Sequence, residues 1–410
     1  MKDNEPDMKT DLKAVVHHRN EPISLMEPLL VPSDSRFSGV INDLTVELAA
    51  KAAGFHRSMP PGIIRSLAEL VRAMNCYYSN LIEGHDTHPV DIERALQDDY
   101  SSDPEKRNLQ LEAKAHIKVQ AWIDQGGLTG RAFTVDGIRE IHRRFTELLP
   151  DTLRWVDDPD SGERVDIIPG ALRERDVKVG RHIPVSPAAL PRFLERFEQV
   201  YSGLSKSRTI AMAAAAHHRL LWIHPFVDGT GRVTRLMSHA IFIETLDTGG
   251  VWSIARGLAR NVKKYKSLLA NCDLPRRNAL DGRGNLSEEA LVEFTIFFLK
   301  ICLDQIDFME SLVQPDRLRH RLLSWAAEEV AMGTLPPKAE RILEALLYRG
   351  QLPRAEVQTL LGVGERQARR VVSALSNQDI LTSTSQRAPL SLAFPSRLAP
   401  RLMPGLFPDK

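Results

Sequence analysis

Apolar residues recur at steps of three and four along most of the chain, which predicts a mainly α-helical protein. Leu44, Val46, Leu48 and Ala52 fit a short helix that Gly54 can close. Beyond the Pro60–Pro61–Gly62 turn, Ile64, Leu67, Val71, Met74, Tyr78 and Ile82 form one buried stripe of a long helix over 63–83. The spans 110–126 and 134–148 repeat that pattern. Between 150 and 186 the character changes. Glycines separate the short runs Arg164–Ile167 and Asp176–Val179, and the second alternates polar with apolar residues. Such alternation predicts a short hairpin, around Val165–Ile183, inserted in a helical protein. Helices resume after Pro187, and an Ala-rich one covers 208–223. Ser287, followed by Glu288 and Glu289, opens a helix to about Phe308, since a hydroxyl caps and acids suit the positive end.

The chain of 410 residues has the length of roughly two or three domains at ~150 residues each. A polar, proline-bearing arm is expected over 1–40, an N-terminal helical region over 41–110 and a helical core over 111–310. A linker helix over 311–337 ends at a boundary marked by Gly333, Pro336 and Pro337. Over 338–395 the order is helix, helix, helix, then a two-stranded ribbon, which looks like a winged helix-turn-helix. Residues 396–410 read as an extended tail. The third of these helices puts Ala368, Val371, Val372 and Leu375 on one face and Arg366, Gln367, Arg369 and Arg370 on the other. Arg and Gln are side chains that read base edges and phosphates, so DNA contact is one expectation, beside that of a solvated basic face.

Lys and Arg number 54 against 53 Asp and Glu, a net charge of +1 that excludes a bulk polyanion-coating role. The cysteines, Cys76, Cys272 and Cys302, are widely spaced and offer neither a disulfide framework nor paired zinc ligands. A reducing cytoplasm is the expected compartment. The most apolar stretch, 291–309, is broken by Glu293, Lys300, Asp304 and Asp307, so no membrane span of ~20 apolar residues is expected.

The densest chemistry lies in His224-Pro225-Phe226-Val227-Asp228-Gly229-Thr230-Gly231-Arg232-Val233-Thr234-Arg235. It reads as a loop between two apolar helices. Gly229 and Gly231 let the backbone turn and aim several N–H groups at one spot, which is also a helix N-terminus and suits phosphate. Arg232 and Arg235 add guanidinium groups that grip phosphate oxygens. Asp228 is a hard oxygen ligand suited to Mg²⁺, and His224 can accept a proton near neutral pH. Base, metal ligand, anion nest and cations together describe a phosphate-transfer site.

This segment resembles the signature of Fic-domain proteins, His-Pro-Phe-x-Asp/Glu-Gly-Asn-Gly-Arg-x-x-Arg, with Thr230 standing where the family has Asn. The resemblance implies a Fic-type helical domain that transfers AMP from ATP to a protein hydroxyl. His224 would deprotonate the hydroxyl, and Asp228 would hold Mg²⁺ against the phosphates. Gly229, Thr230 and Gly231 would form the anion hole, Arg232 would bind phosphate oxygens and Arg235 would reach the γ-phosphate. Thr230 is shorter than Asn and lacks an amide donor, which predicts a weaker or retuned site.

The long helix ends Ser79-Asn80-Leu81-Ile82-Glu83-Gly84, with Ser79 and Glu83 on one face. A carboxylate at a helix C-terminus is unfavourable unless a cation meets it. The stretch resembles the inhibitory motif Ser/Thr-x-x-x-Glu-Gly/Asn of Fic proteins, which implies that Glu83 pairs with Arg235 in the γ-phosphate space. Val177, Lys178 and Val179 resemble the family's flap, which takes the target as an added strand. Trp252–Leu258, Tyr265 and Asp281–Leu286 extend the resemblance to roughly 40–310. The expected fold is therefore mainly α, a Fic-type domain with a small hairpin flap plus a C-terminal winged helix. The expected activity is that of a self-inhibited protein adenylyltransferase. Its partners would be ATP, Mg²⁺, a hydroxyl-bearing target or the chain itself, a second copy in a homodimer, and DNA at the C-terminal module. The alternatives are a DNA-binding regulator whose Fic domain senses nucleotide, and a Fic variant that moves another phosphate-linked group.

Overall fold

The fold comes from a computed structural model that describes residues 10–13, 19–158 and 162–408. Parts of the expected arm (1–9 and 14–18) and the end of the expected tail lie outside the described residues. Strand β1 (Thr10–Lys13) is followed by α1 (Ser38–Arg57), which runs through Gly54 and stops only before Pro60. Helix α2 (Pro61–Ile82) opens with proline at its first position, where the missing N–H costs nothing. Its stripe of Leu67, Val71, Met74, Tyr78 and Ile82 is buried.

Next come α3 (Pro89–Leu96), α4 (Pro104–Asp124) and α5 (Val135–Glu147). Side-chain oxygens of Asp103 and Thr134 cap the last two by accepting from Glu105 N and Gly137 N. Strands β2 (Trp155–Asp157), β3 (Arg164–Asp166) and β4 (Asp176–Val179) precede α6 (Leu190–Tyr201). Helices α7 (Lys206–Ile223) and α8 (Thr230–Leu246) pack on each other, and the fully buried run Ala211–Ala216 keeps α7 thin enough for its neighbours to approach closely. After α9 (Ile254–Arg260) and α10 (Val262–Cys272), the long α11 (Glu288–Val313) packs against α1, α7, α9 and α10. Phe294, Phe298 and Ile306 of α11 are fully buried there.

Helix α12 (Pro315–Ala331) leads to α13 (Ala339–Arg349), α14 (Val357–Leu361) and α15 (Glu365–Asn377). Strands β5 (Leu381–Thr382) and β6 (Ser391–Leu392) pair antiparallel behind α15, and α16 (Ala399–Leu402) follows. Among the described residues no helix is long and apolar enough to cross a membrane.

Three sequence expectations are corrected. The runs at 164–166 and 176–179 do not form one hairpin: β3 pairs with β2, while β4 pairs antiparallel with β1. The arm is not free, because Met26, Leu29 and Val31 insert into the core. Nor is the tail extended. Leu398, Leu402, Met403, Leu406 and Phe407 are buried, and the Tyr78 hydroxyl donates to Leu406 O at 3.1 Å.

Candidate active site

The six residues between α7 and α8 are held from three sides. His224 ends α7 in the left-handed conformation, φ 50° and ψ 68°, which is uncommon for a residue with a side chain and is sustained only by its surroundings. Arg173 supplies them. Its Nε donates to His224 O at 2.7 Å, its Nη1 to Arg175 O at 2.8 Å, and its main-chain N–H to Pro225 O at 2.9 Å. Burial lowers this guanidinium to about 10, still charged at neutral pH. Phe226 is fully buried and stacks on His142, with ring centroids 3.9 Å apart and planes 4° from parallel. His142 Nδ1 in turn accepts from Gly170 N at 3.0 Å, so one imidazole ties the loop to the segment before β4.

Helix α8 begins at Thr230, three residues before the first apolar position from which sequence periodicity starts it. Gly231, Arg232 and Arg235 therefore sit on its first turns, and Gly229 takes φ 82° at the entry, a conformation natural to glycine. Thr230 is buried and its hydroxyl accepts from Phe226 N at 3.4 Å, so it faces the loop's own backbone.

A cleft of about 1510 Å³ opens beside this loop, lined by His224, Asp228, Gly229, Thr230, Gly231 and Arg232 from the motif and by Glu83 from the end of α2. Glu83 Oε1 accepts from Arg235 Nη2 at 2.5 Å, and Arg235 Nε donates to Ser79 Oγ at 2.8 Å. The Glu83 side chain is 22% exposed and that of Arg235 only 2%. A Cβ on Gly231 would lie 2.5 Å from Glu83 Oε1 and 3.2 Å from Arg235 Nη1, so the carboxylate fills the concavity that the glycine leaves. Arg235 Nη1 and Arg232 Nε are buried without a hydrogen-bond acceptor. The pocket thus already carries one carboxylate and retains donors for more negative charge.

Arg232 bridges Asp228 Oδ2 at 2.6 Å and Glu112 Oε2 at 2.9 Å. Burial opposes its charge, but the two carboxylates outweigh that and raise its proton affinity. Burial likewise pushes the Glu112 carboxyl up, while Arg232 and His85 pull it down further, for a net lowering. His85 is raised, first by its hydrogen bond to Glu112. The His224 imidazole is pushed down to about 3 by burial, with Arg173 adding to the effect, so it is neutral at physiological pH.

The structure thus gathers His224, Asp228, Gly229, Thr230, Gly231, Arg232, Arg235, Ser79 and Glu83. Of the expected flap residues, Val179 lines the cleft, whereas Val177 is buried and Lys178 half-buried outside the lining. Arg366, Gln367, Arg369 and Arg370 are exposed on α15, outside the cleft, and Arg369 pairs with Glu365. Arg256 and Tyr265 are buried packing residues, the first with its guanidinium 3.5 Å from the Phe308 ring centroid and the second hydrogen-bonded to His217. Sequence reasoning missed Arg173, His142, Glu112 and His85. Only His85, directly after Glu83-Gly84, carried a positional signal.

Fold and site define a helical domain with a glycine-bearing loop and helix N-terminus between two buried helices, where a carboxylate from an earlier helix pairs with Arg235 beside Gly231. Residues 132–242 match the family model described as Fic/DOC family, and the chain carries a Fic/DOC-type domain there. Proteins named protein adenylyltransferase Fic are similar. That of Drosophila sechellia is 28% identical over 184 residues, covering 44% of this chain and 34% of its own. That of Drosophila erecta is 34% identical over 112 residues, covering 27% and 20%. The chain therefore spans about a third of the length of one of these curated relatives and a fifth of the other. The solved structure of Fic-1 (aa134 - 508) from C. elegans is 18% identical, covers 67% of this chain and 73% of that chain, and superposes with a TM-score of 0.50. That likeness concerns the fold.

Proposed function

We propose that this chain is a self-inhibited protein adenylyltransferase, moving AMP from ATP to a hydroxyl of a target protein or of itself. The observation that carries the reading is the Glu83 carboxylate seated against Gly231 and paired with Arg235 inside the motif's anion nest. A group that takes the place of a phosphate in a phosphate cradle competes with a phosphate-bearing substrate. With Glu83 displaced, Arg235 would meet the terminal phosphate, while Arg232 and the N–H groups at the start of α8 would hold the inner ones. His224, neutral because it is buried, would accept the proton of the incoming hydroxyl. A triphosphate beside it adds negative charge and raises its proton affinity from the level of the closed cleft. The hydroxyl oxygen then bonds to the α-phosphorus, the bond from that phosphorus to the bridging oxygen breaks, and pyrophosphate leaves.

Among the described residues no group of three or more His, Cys, Asp or Glu is arranged to hold a metal by itself. Asp228, a single hard carboxylate on the cleft wall, fits Mg²⁺ of the kind that binds one or two carboxylates together with substrate phosphates and water. Such an ion would offset phosphate charge, and Asp228 would exchange Arg232 for it. Incubating the chain and its Glu83→Gly variant with ATP labelled at the α- or the γ-phosphate tests the proposal. Protein-bound α-label that His224→Ala abolishes is the expected result. Label from the γ-position would replace the reading with phosphoryl transfer, and no label under either condition would remove it.

A further inference from the structure

Arg232 is bonded to two carboxylates, and they are not placed alike. Its Nη2 donates to Asp228 Oδ2 at 2.6 Å and its Nη1 to Glu112 Oε2 at 2.9 Å. Both acids line the cleft. The Asp228 side chain is 40% exposed there, whereas that of Glu112 is 15% exposed and that of Arg232 only 8%. Glu112 stands on α4, outside the motif, and is the recessed partner of the two.

Glu112 is itself fixed. His85 Nδ1 lies 3.3 Å from the same Oε2 that Arg232 uses. Burial works against a charge on Glu112, yet Arg232 and His85 hold its carboxyl below the usual range. The Phe145 ring, 4.8 Å from the guanidinium carbon, covers one side of Arg232. Arg232 is thus gripped by one acid that is set back and pinned, and by another that is free to turn into the cleft.

The difference matters on the adenylyltransferase reading, because Asp228 must release Arg232 before it can take Mg²⁺. A guanidinium this buried is costly without an acid beside it. With Glu112 in place it keeps one. Its Nε–H, which is buried without an acceptor, and the Nη2 hydrogen that Asp228 gives up are then left for phosphate oxygens. Without the Glu112 charge, Asp228 would be the one acid bonded to Arg232 and would be held back from the metal.

We infer that Glu112 is a positioning residue, which balances the charge of Arg232 and keeps the guanidinium aimed while Asp228 turns to Mg²⁺. This rests on the adenylyltransferase reading and concerns the binding of its metal and nucleotide.

The full-length chain carrying Glu83→Gly, alone and with Glu112→Gln, would be titrated with a non-hydrolysable ATP analogue by calorimetry, over a series of Mg²⁺ concentrations and in EDTA. Glu112→Gln should raise the Mg²⁺ concentration at half-maximal effect at least ~10-fold. Affinity in EDTA should be no weaker, since the amide fills the same space and one negative charge fewer faces the phosphates. Glu112→Asp keeps the charge and should stay within ~3-fold of the parent in its Mg²⁺ requirement. An unchanged Mg²⁺ requirement in Glu112→Gln, an equal loss of affinity in EDTA, or a shift in Glu112→Asp as large as ~10-fold overturns the inference and leaves the transferase reading standing. No analogue binding by the Glu83→Gly chain removes both.

Discussion

Replacing Glu83 by glycine tests the plug directly. The substitution removes a carboxylate that accepts a 2.5 Å hydrogen bond from a guanidinium with only 2% of its side chain exposed. A hydrogen bond to a charged group contributes about 1.5–3 kcal/mol, and the part-exposed carboxylate holds this one within that range. The seated Glu83 therefore reduces the share of molecules able to accept the terminal phosphate by ~10- to 150-fold, at ~1.4 kcal/mol per tenfold. With the plug gone, α-phosphate transfer at subsaturating ATP should rise by about that factor. The same substitution leaves Arg235 buried beside a weaker set of partners. Without nucleotide the chain should lose stability of the same order, ~1.5–3 kcal/mol, and ATP should restore it. Titration of each variant with a non-hydrolysable ATP analogue, read by thermal shift, and α-labelled transfer measured against His224→Ala give both numbers. Transfer and affinity unchanged within about twofold would mean that Glu83 does not compete for the phosphate position.

Acid sensitivity is a second expectation. Burial lowers His116 and His224 to about 3 and His142 to about 4, against ~6.5 for the unfolded chain. Their folded forms stay neutral while the unfolded chain takes up protons, so stability is full above pH ~6.5 and falls as pH drops toward the folded values. Each should cost about 1.4 kcal/mol between pH 7.5 and 5.5, read as a shift in urea midpoint, and His116→Leu should flatten that dependence. Both nitrogens of His116 are buried without partners, so the substitution removes a liability; identical pH slopes would contradict this. At Gly62, a Cβ would lie 2.0 Å from the carbonyl oxygen of Gly350. Gly62→Ala should therefore push α2 and the end of α13 apart, cost about 1–3 kcal/mol in thermal unfolding, and speed limited proteolysis near Gly333.

The helices were legible because a buried stripe repeats every three or four residues whatever it packs against. α2 and α5 fall within three residues of the spans their periodicity predicts. The strands were not, since pairing partners are set by the chain's path. Nothing in Asp176–Val179 says that its neighbour is Thr10–Lys13 rather than Arg164–Asp166. Met26, Leu29 and Val31 lie in apolar runs of two or three residues between prolines and polar residues, and Leu402, Met403, Leu406 and Phe407 in pairs beside prolines. Neither set shows a period, although both are buried. The motif residues were readable as a group because one short loop carries them all. The Glu83–Arg235 contact joins distant segments and was reached only through family resemblance. Arg173 gave no local signal, because its role is to meet main-chain oxygens that any residue carries.

α2 joins the C-terminal segment to Glu83. Toward its C-terminus Ser79 and Glu83 reach Arg235, while along its length Ser66 donates to Leu392 O and the Tyr77 ring meets that of Phe407 at 5.9 Å. Sliding the helix to withdraw Glu83 would break these contacts along with the Tyr78 bond to Leu406 O. Each buried polar group left without a partner costs about 1–3 kcal/mol, so two such losses already match or exceed the ~1.5–3 kcal/mol that holds the carboxylate in place. Local release is cheaper. Glu83 is the residue that ends the helix, and Gly84 after it sits at φ 89°, a conformation that glycine enters and leaves freely. On the proposed function, Glu83 would therefore be withdrawn by its side chain and the last turn of α2, on a helix that the C-terminal residues hold still.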